Sequence, residues 1–196
     1  MKKIILITIS LCFFLNVNAQ RKKSQQYDLK SSQLSGLKFR SVGPAFMSGR
    51  IADIAINPEN ENEWYVAVGS GGVWKTSNSG TTWTPIADDQ PFYSTGSITI
   101  DPHNSSKIWL GTGENVGGRH VGIGHGVYMS ENGGKKWKDM GLKSSEHISK
   151  IIVSPNDPNL VFVASQGPLW SPGGDRGLFR STNGGEDWEN VLSVNE

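Results

Sequence analysis

Two glycine-rich segments hold the side chains best suited to chemistry. The first runs from Glu114 to Gly126 and supplies Glu114, Arg119, His120 and His125. The second covers residues 166–176 and supplies Trp170, Asp175 and Arg176. Together they offer both signs of charge, several hydrogen-bonding groups and a broad aromatic surface, a set that suits a sugar or a peptide. The same charges have a plainer use: Glu114 with Arg119, or Asp175 with Arg176, can form ion pairs that only order the loops. Other chemistries lack their parts. His120 and His125 have no third ligand at a recognisable spacing, so no metal site is expected. Gly117-Gly118 lacks the lysine and hydroxyl residue of a phosphate loop, and no cofactor is implied.

The elements that position these segments repeat three times. Each unit opens with an alternating strand that ends at a proline: Asn57-Pro58, Asp101-Pro102 and Ser154-Pro155. Alternation, as in Ile51-Ala52-Asp53-Ile54-Ala55-Ile56, puts apolar side chains on one face, and proline removes an amide donor and turns the chain. A second β-rich stretch follows at residues 64–68, 108–111 and 160–164. A third begins after glycine at residues 73–76, 127–130 and 178–181. A turn then leads to a fourth strand bearing Trp83, Trp137 or Trp188. Four short strands at a period of roughly 50 residues predict an all-β chain built as a β-propeller of four-stranded blades. The expected blades are 51–90, 97–142 and 148–193. Both chemical segments fall between second and third strands, so both are expected to project from the same face of adjacent blades, where repeat scaffolds commonly carry binding.

The sharpest motif is the turn before each tryptophan: Thr76-x-Asn78-x-Gly80-x-x-Trp83, Ser130-x-Asn132-x-Gly134-x-x-Trp137 and Ser181-x-Asn183-x-Gly185-x-x-Trp188. Asparagine and glycine tolerate left-handed backbone, and the asparagine side chain can bond nearby amides. Tryptophan buries a large apolar area against the blade. The pattern is similar to the Asp-box, with asparagine in place of aspartate all three times, and its expected role is structural.

With Gly43-Pro44-Ala45-Phe46-Met47-Ser48-Gly49-Arg50-Ile51, Ser70-Gly71-Gly72-Val73-Trp74-Lys75-Thr76, Gly111-Thr112-Gly113-Glu114-Asn115 and Gln166-Gly167-Pro168-Leu169-Trp170-Ser171-Pro172-Gly173-Gly174-Asp175-Arg176-Gly177, these turns make the region from residue 37 onward resemble secreted bacterial sortilin-like or xyloglucanase-like Asp-box (BNR-type) propellers, often labelled glycosyl hydrolases. In the xyloglucan-active relatives a catalytic aspartate precedes the Gly-Gly that opens the third strand of the first blade. Here Val68-Gly69-Ser70-Gly71-Gly72 has no carboxylate. Their second carboxylate would lie beyond residue 196, and hydrolysis needs two. The resemblance therefore implies, first, a non-enzymatic glycan- or peptide-binding module and, second, part of a glycoside hydrolase completed further along the chain. Arg50 is expected to pair with a local carboxylate or cap a loop.

Bulk features narrow the setting. A net charge of +1 argues against a nucleic-acid partner. Lys2-Lys3, the apolar residues 4–15 and Val17-Asn18-Ala19 read as a signal peptide over residues 1–19, with Gln20 as the new terminus. The sole cysteine, Cys12, would leave with it. The mature protein is then expected in the periplasm, at the cell surface or outside the cell, with no membrane span. Residues 20–36, including Arg21-Lys22-Lys23, read as a flexible lead-in, and residues 37–42 as a strand that completes a last blade. Propellers usually close with 4–8 blades, so further blades are expected as partners of these three.

Overall fold

A computed structural model describes residues 30–36, 50–115 and 121–193. The signal segment, Arg21-Lys22-Lys23, residues 37–42, Arg119 and His120 lie outside them. Residues 30–36 belong to a separate unit, with a short 3-10 turn at Ser31–Gln33. The other described residues belong to a single compact unit.

That unit holds three antiparallel sheets of four strands each, in sequential order. Blade 1 comprises β1 (Ile51–Ile56), β2 (Trp64–Val68), β3 (Gly72–Thr76) and β4 (Thr84–Pro85). Blade 2 comprises β5 (Thr95–Asp101), β6 (Asn104–Thr112), β7 (Val127–Ser130) and β8 (Lys138–Asp139). Blade 3 comprises β9 (Ile148–Ser154), β10 (Asp157–Ser165), β11 (Gly177–Ser181) and β12 (Glu189–Leu192). This is the all-β, blade-by-blade architecture that the repeats predict. The registers are homologous: Trp64 faces Thr76, Ile108 faces Ser130 and Val161 faces Ser181.

Strand alternation creates two apolar faces per sheet, and stacking buries them in pairs. Tyr65, Ala67 and Val73 of blade 1 meet Ile98, Ile108, Leu110 and Tyr128 of blade 2. On the far side of blade 2, Trp109, Val127 and Met129 meet Ile151, Val153, Val161, Val163 and Phe179 of blade 3. Trp109 is wholly buried there. At about 25 cal/mol per Å², burying an indole of this size contributes roughly 4–6 kcal/mol before entropy is counted. The first strands of the blades run beside one another and are tied by side chains. Asp53 Oδ2 accepts the Ile98 amide at 3.1 Å and pairs with Lys150 at 2.8 Å, while Thr99 Oγ1 donates to the Ile151 carbonyl at 2.7 Å.

The tryptophan turns use one bonding scheme three times. In blade 2 the Ser130 hydroxyl accepts the amides of Asn132 at 3.3 Å and Gly134 at 2.9 Å, and donates to Asn132 Oδ1 at 3.1 Å. Asn132 Oδ1 also accepts the Lys136 amide at 2.8 Å. Thr76 with Asn78, and Ser181 with Asn183, repeat every bond. Asparagine adds what aspartate cannot: its Nδ2 donates to Thr82 Oγ1 in blade 1 and to Asp187 Oδ2 in blade 3, both at 2.9 Å. Gly80, Gly134 and Gly185 take φ of 85°, 85° and 88°, the left-handed backbone open to glycine.

The structure corrects two details. Trp83, Trp137 and Trp188 do not lie within the fourth strands but end the turns just before them. Nor does the tryptophan plug its own blade alone. Trp137 Nε1 donates to the Ile86 carbonyl of blade 1 at 3.3 Å, and Trp188 Nε1 to the Met140 carbonyl of blade 2 at 2.6 Å. The indole reaches back because the neighbouring sheet offers both apolar cover and an acceptor at a strand end, where ladder pairing stops.

Candidate functional site

The connections between second and third strands all lie at one end of the blades, and they are where the repeats diverge. Blade 1 has only Gly69-Ser70-Gly71, blade 2 has residues 113–126 and blade 3 has residues 166–176. Backbone bonds join the longer two to their surroundings. Glu114 N donates to Gly122 O at 2.9 Å and closes the blade 2 loop. Gly124 N donates to Glu146 O at 2.8 Å, and Gln166 N to His147 O at 2.9 Å. Gln166 Nε2 then reaches the Asn115 carbonyl at 3.2 Å, so the two insertions touch.

Glu114 is the hub of this end. Only 1% of it is exposed. Its carboxylate accepts hydrogen bonds from the Arg50 guanidinium and the Ser70 hydroxyl, both of blade 1. Its main-chain carbonyl accepts His147 Nδ1 at 2.9 Å. A carbonyl can only accept, so Nδ1 carries the imidazole proton and Nε2 is bare. His147 is fully buried, and Nε2 has no partner among the described residues. Burial holds the His147 pKa below its ordinary value, against opposing contributions from the Glu114 carbonyl and the charges of Glu146 and Glu114.

The expected site residues within the described segments can now be placed. Glu114 faces inward and staples blade 2 to blade 1. Its ion-pair partner is Arg50, from 64 positions earlier in the chain. His125 is exposed, and its amide donates to Thr112 Oγ1 at 2.7 Å. Asp175 Oδ2 accepts the Ser144 amide at 3.0 Å, fastening the blade 3 loop to the inter-blade connection. Arg176 spans that loop from within, donating to the carbonyls of Pro168 and, at 3.3 Å, Ser171. Trp170 is 74% exposed on the loop so braced.

The sequence reading missed Arg50 with Ser70 as the partners of Glu114, His147 beneath it, and Tyr93. Tyr93 is 66% exposed, and its carbonyl accepts the Gly72 amide at 2.8 Å, at the same end of the blades. No sequence signal marks Tyr93, which precedes β5 in a connection beside the buried Phe92. No group of three His, Cys, Asp or Glu side chains able to hold a metal occurs among the described residues. No helix among them is long and apolar enough to cross a membrane.

Stacked four-stranded sheets and the solved structures like them define a β-propeller. An ancestral GH74 enzyme superposes with a TM-score of 0.57 at 22% identity, covering 76% of this chain and 20% of that one. YCF48 bound to the D1 peptide gives 0.50 at 13% identity, over 72% of this chain and 40% of that one. In sequence, the chain is similar to a probable oligoxyloglucan-reducing end-specific xyloglucanase of Neosartorya fischeri, 24% identical over 130 residues, which are 60% of this chain and 15% of that protein. It is also similar to xyloglucanase Xgh74A of Acetivibrio thermocellus, 23% identical over 164 residues, 77% of this chain and 18% of that one. The chain thus spans less than a fifth of these curated relatives. No family model matches it.

Proposed function

We propose that these blades supply the glycan-binding face of an exported, xyloglucanase-like Asp-box propeller. The observation that carries this reading is Trp170, a broad apolar ring held out in solvent on a loop that Asp175 and Arg176 pin from two sides. Holding such a ring in water is unfavourable, whereas a flat apolar sugar face can cover it without reordering the loop. Tyr93 offers a second ring at the same end of the blades.

The carboxylates of the two insertions favour binding over hydrolysis by these loops. Glu114 is buried and spent on Arg50 and Ser70, and Asp175 is bonded to Ser144. Hydrolysis, the second reading, draws its support from similarity to xyloglucanases and needs carboxylates supplied beyond residue 196.

The test is calorimetric titration of the whole protein with xyloglucan oligosaccharides, with unrelated peptides as a control, alongside an assay for released reducing ends. Trp170→Ala is expected to weaken sugar binding at least about tenfold. Unchanged affinity would remove Trp170 as the platform. Binding without product supports a non-enzymatic module, and product formation supports the hydrolase.

A further inference from the structure

The three tryptophan turns differ at the residue after the asparagine. That residue takes left-handed backbone each time, with φ of 55° at Ser79, 67° at Gly133 and 72° at Gly184. Glycine meets the demand without strain. It also leaves the asparagine next to an amide that no side chain shields. Such an amide nitrogen can attack the asparagine Cγ and expel the side-chain nitrogen. The closed turn stands in the way. The Gly133 amide donates to the Ser106 carbonyl and the Gly184 amide to the Asn159 carbonyl, both at 2.9 Å. In each turn the asparagine Oδ1 is held by a hydroxyl and by the amide four residues on.

The two Asn-Gly turns are not equally closed. Asn183 Nδ2, the atom that must leave, donates to Asp187 Oδ2 at 2.9 Å. Lys136 stands at the matching position in blade 2, and an ammonium cannot accept. Asn132 is exposed, and its Nδ2 makes no hydrogen bond among the described residues. Charge widens the difference. Attack runs through the deprotonated glycine amide, which nearby cations stabilise and anions oppose. Around Asn132 stand Lys135 and Lys136 against Glu131. Lys75 Nζ of blade 1, paired with Glu63, lies 3.7 Å from where a Gly133 Cβ would sit. Residues 181–188 supply Glu186 and Asp187 around Asn183, and no cation.

We propose that Asn132 is a site of spontaneous deamidation, reached when the blade 2 turn opens locally, and that Asn183 is its protected twin. Gly133 N bonds to Asn132 Cγ, the Cγ–Nδ2 bond breaks, and ammonia leaves with the amide proton. Water then opens the resulting succinimide at either carbonyl. One product is aspartate, whose carboxylate keeps the acceptor that Ser130 and the Lys136 amide use. The other is isoaspartate, which adds a methylene to the main chain and cannot keep the turn.

Incubation of the whole protein in mildly alkaline buffer, followed by peptide mapping with mass spectrometry, tests this. In the folded protein Asn132 is expected to deamidate about tenfold faster than Asn183, as one charge-assisted bond can hold. Asn78, followed by serine, should be slowest. Lys136→Asp gives Asn132 the acceptor that Asn183 has and removes a cation, so it should erase most of the gap. Lys136 is exposed, and an unchanged rate at Asn183 in the same sample shows that the variant stays folded. In urea with added salt, bonds and charge effects fall away, and the two sites should react at similar rates. Equal rates at Asn132 and Asn183 in the folded protein overturn the proposal. So does a folded Lys136→Asp variant that loses Asn132 as fast as wild type. A gap that persists in urea and salt also overturns it, by tracing the difference to local sequence and not to the turn.

Discussion

The two ends of each blade obey different rules. At the turn end, three copies repeat the same hydroxyl, amide and glycine geometry bond for bond. At the insertion end the connections differ in length, composition and partners. Repetition marks what every blade needs in order to stack. Divergence marks where the molecule can differ from others of its architecture, and so where recognition would sit.

Substitutions at the two ends should therefore separate cleanly. The largest loss is expected from Trp188→Ala, which removes a half-buried indole from the junction between blades 2 and 3 and orphans the Met140 carbonyl. About 3–5 kcal/mol should disappear in urea unfolding. A much smaller loss would mean that the turn end is less structural than its repetition implies. Next comes Ser130→Ala. It strips the buried Gly134 amide and the part-buried Asn132 amide of their acceptor, and a cost of about 1–3 kcal/mol is expected by the same measurement. Thr76→Ala, in the more exposed first blade, should cost less.

Acid should act through the insertion end. His147 titrates below its ordinary value in the folded chain and near 6.5 when unfolded. Between those values the unfolded chain binds more protons, so this contribution to stability is complete above about pH 6.5 and is lost as pH falls below it. The urea midpoint should drop between pH 7.5 and 5.5, and the drop should be shallower in His147→Gln. An equal drop in both would place the acid response elsewhere. The smallest effect is expected for Trp170→Ala: stability within about 0.5 kcal/mol of wild type, because the indole is mostly in solvent. A large stability loss would show that the ring packs and is not a free platform.

The fold was legible because its signals are local. Alternating strands, a proline after each first strand and a tryptophan turn at constant spacing are all read within one repeat. The candidate site was less legible because its bonds cross repeats. Val68-Gly69-Ser70-Gly71-Gly72 lacks a carboxylate in sequence, yet Glu114 from the next blade brings its carboxylate against Ser70 in space. Nothing near Glu114 in the chain names Arg50 as its partner. The direction of Trp137 and Trp188 was hidden for the same reason, since their acceptors lie on the preceding blade.

The joint between blades has an evolutionary consequence. Its acceptor is a main-chain carbonyl, so it does not inspect the side chain that bears it: isoleucine serves at Ile86 and methionine at Met140. A duplicated blade inherits donor and acceptor together and fits beside its parent without any matched mutation. Such a chain can lengthen by copying, and its loops can drift apart afterwards while the joints stay intact.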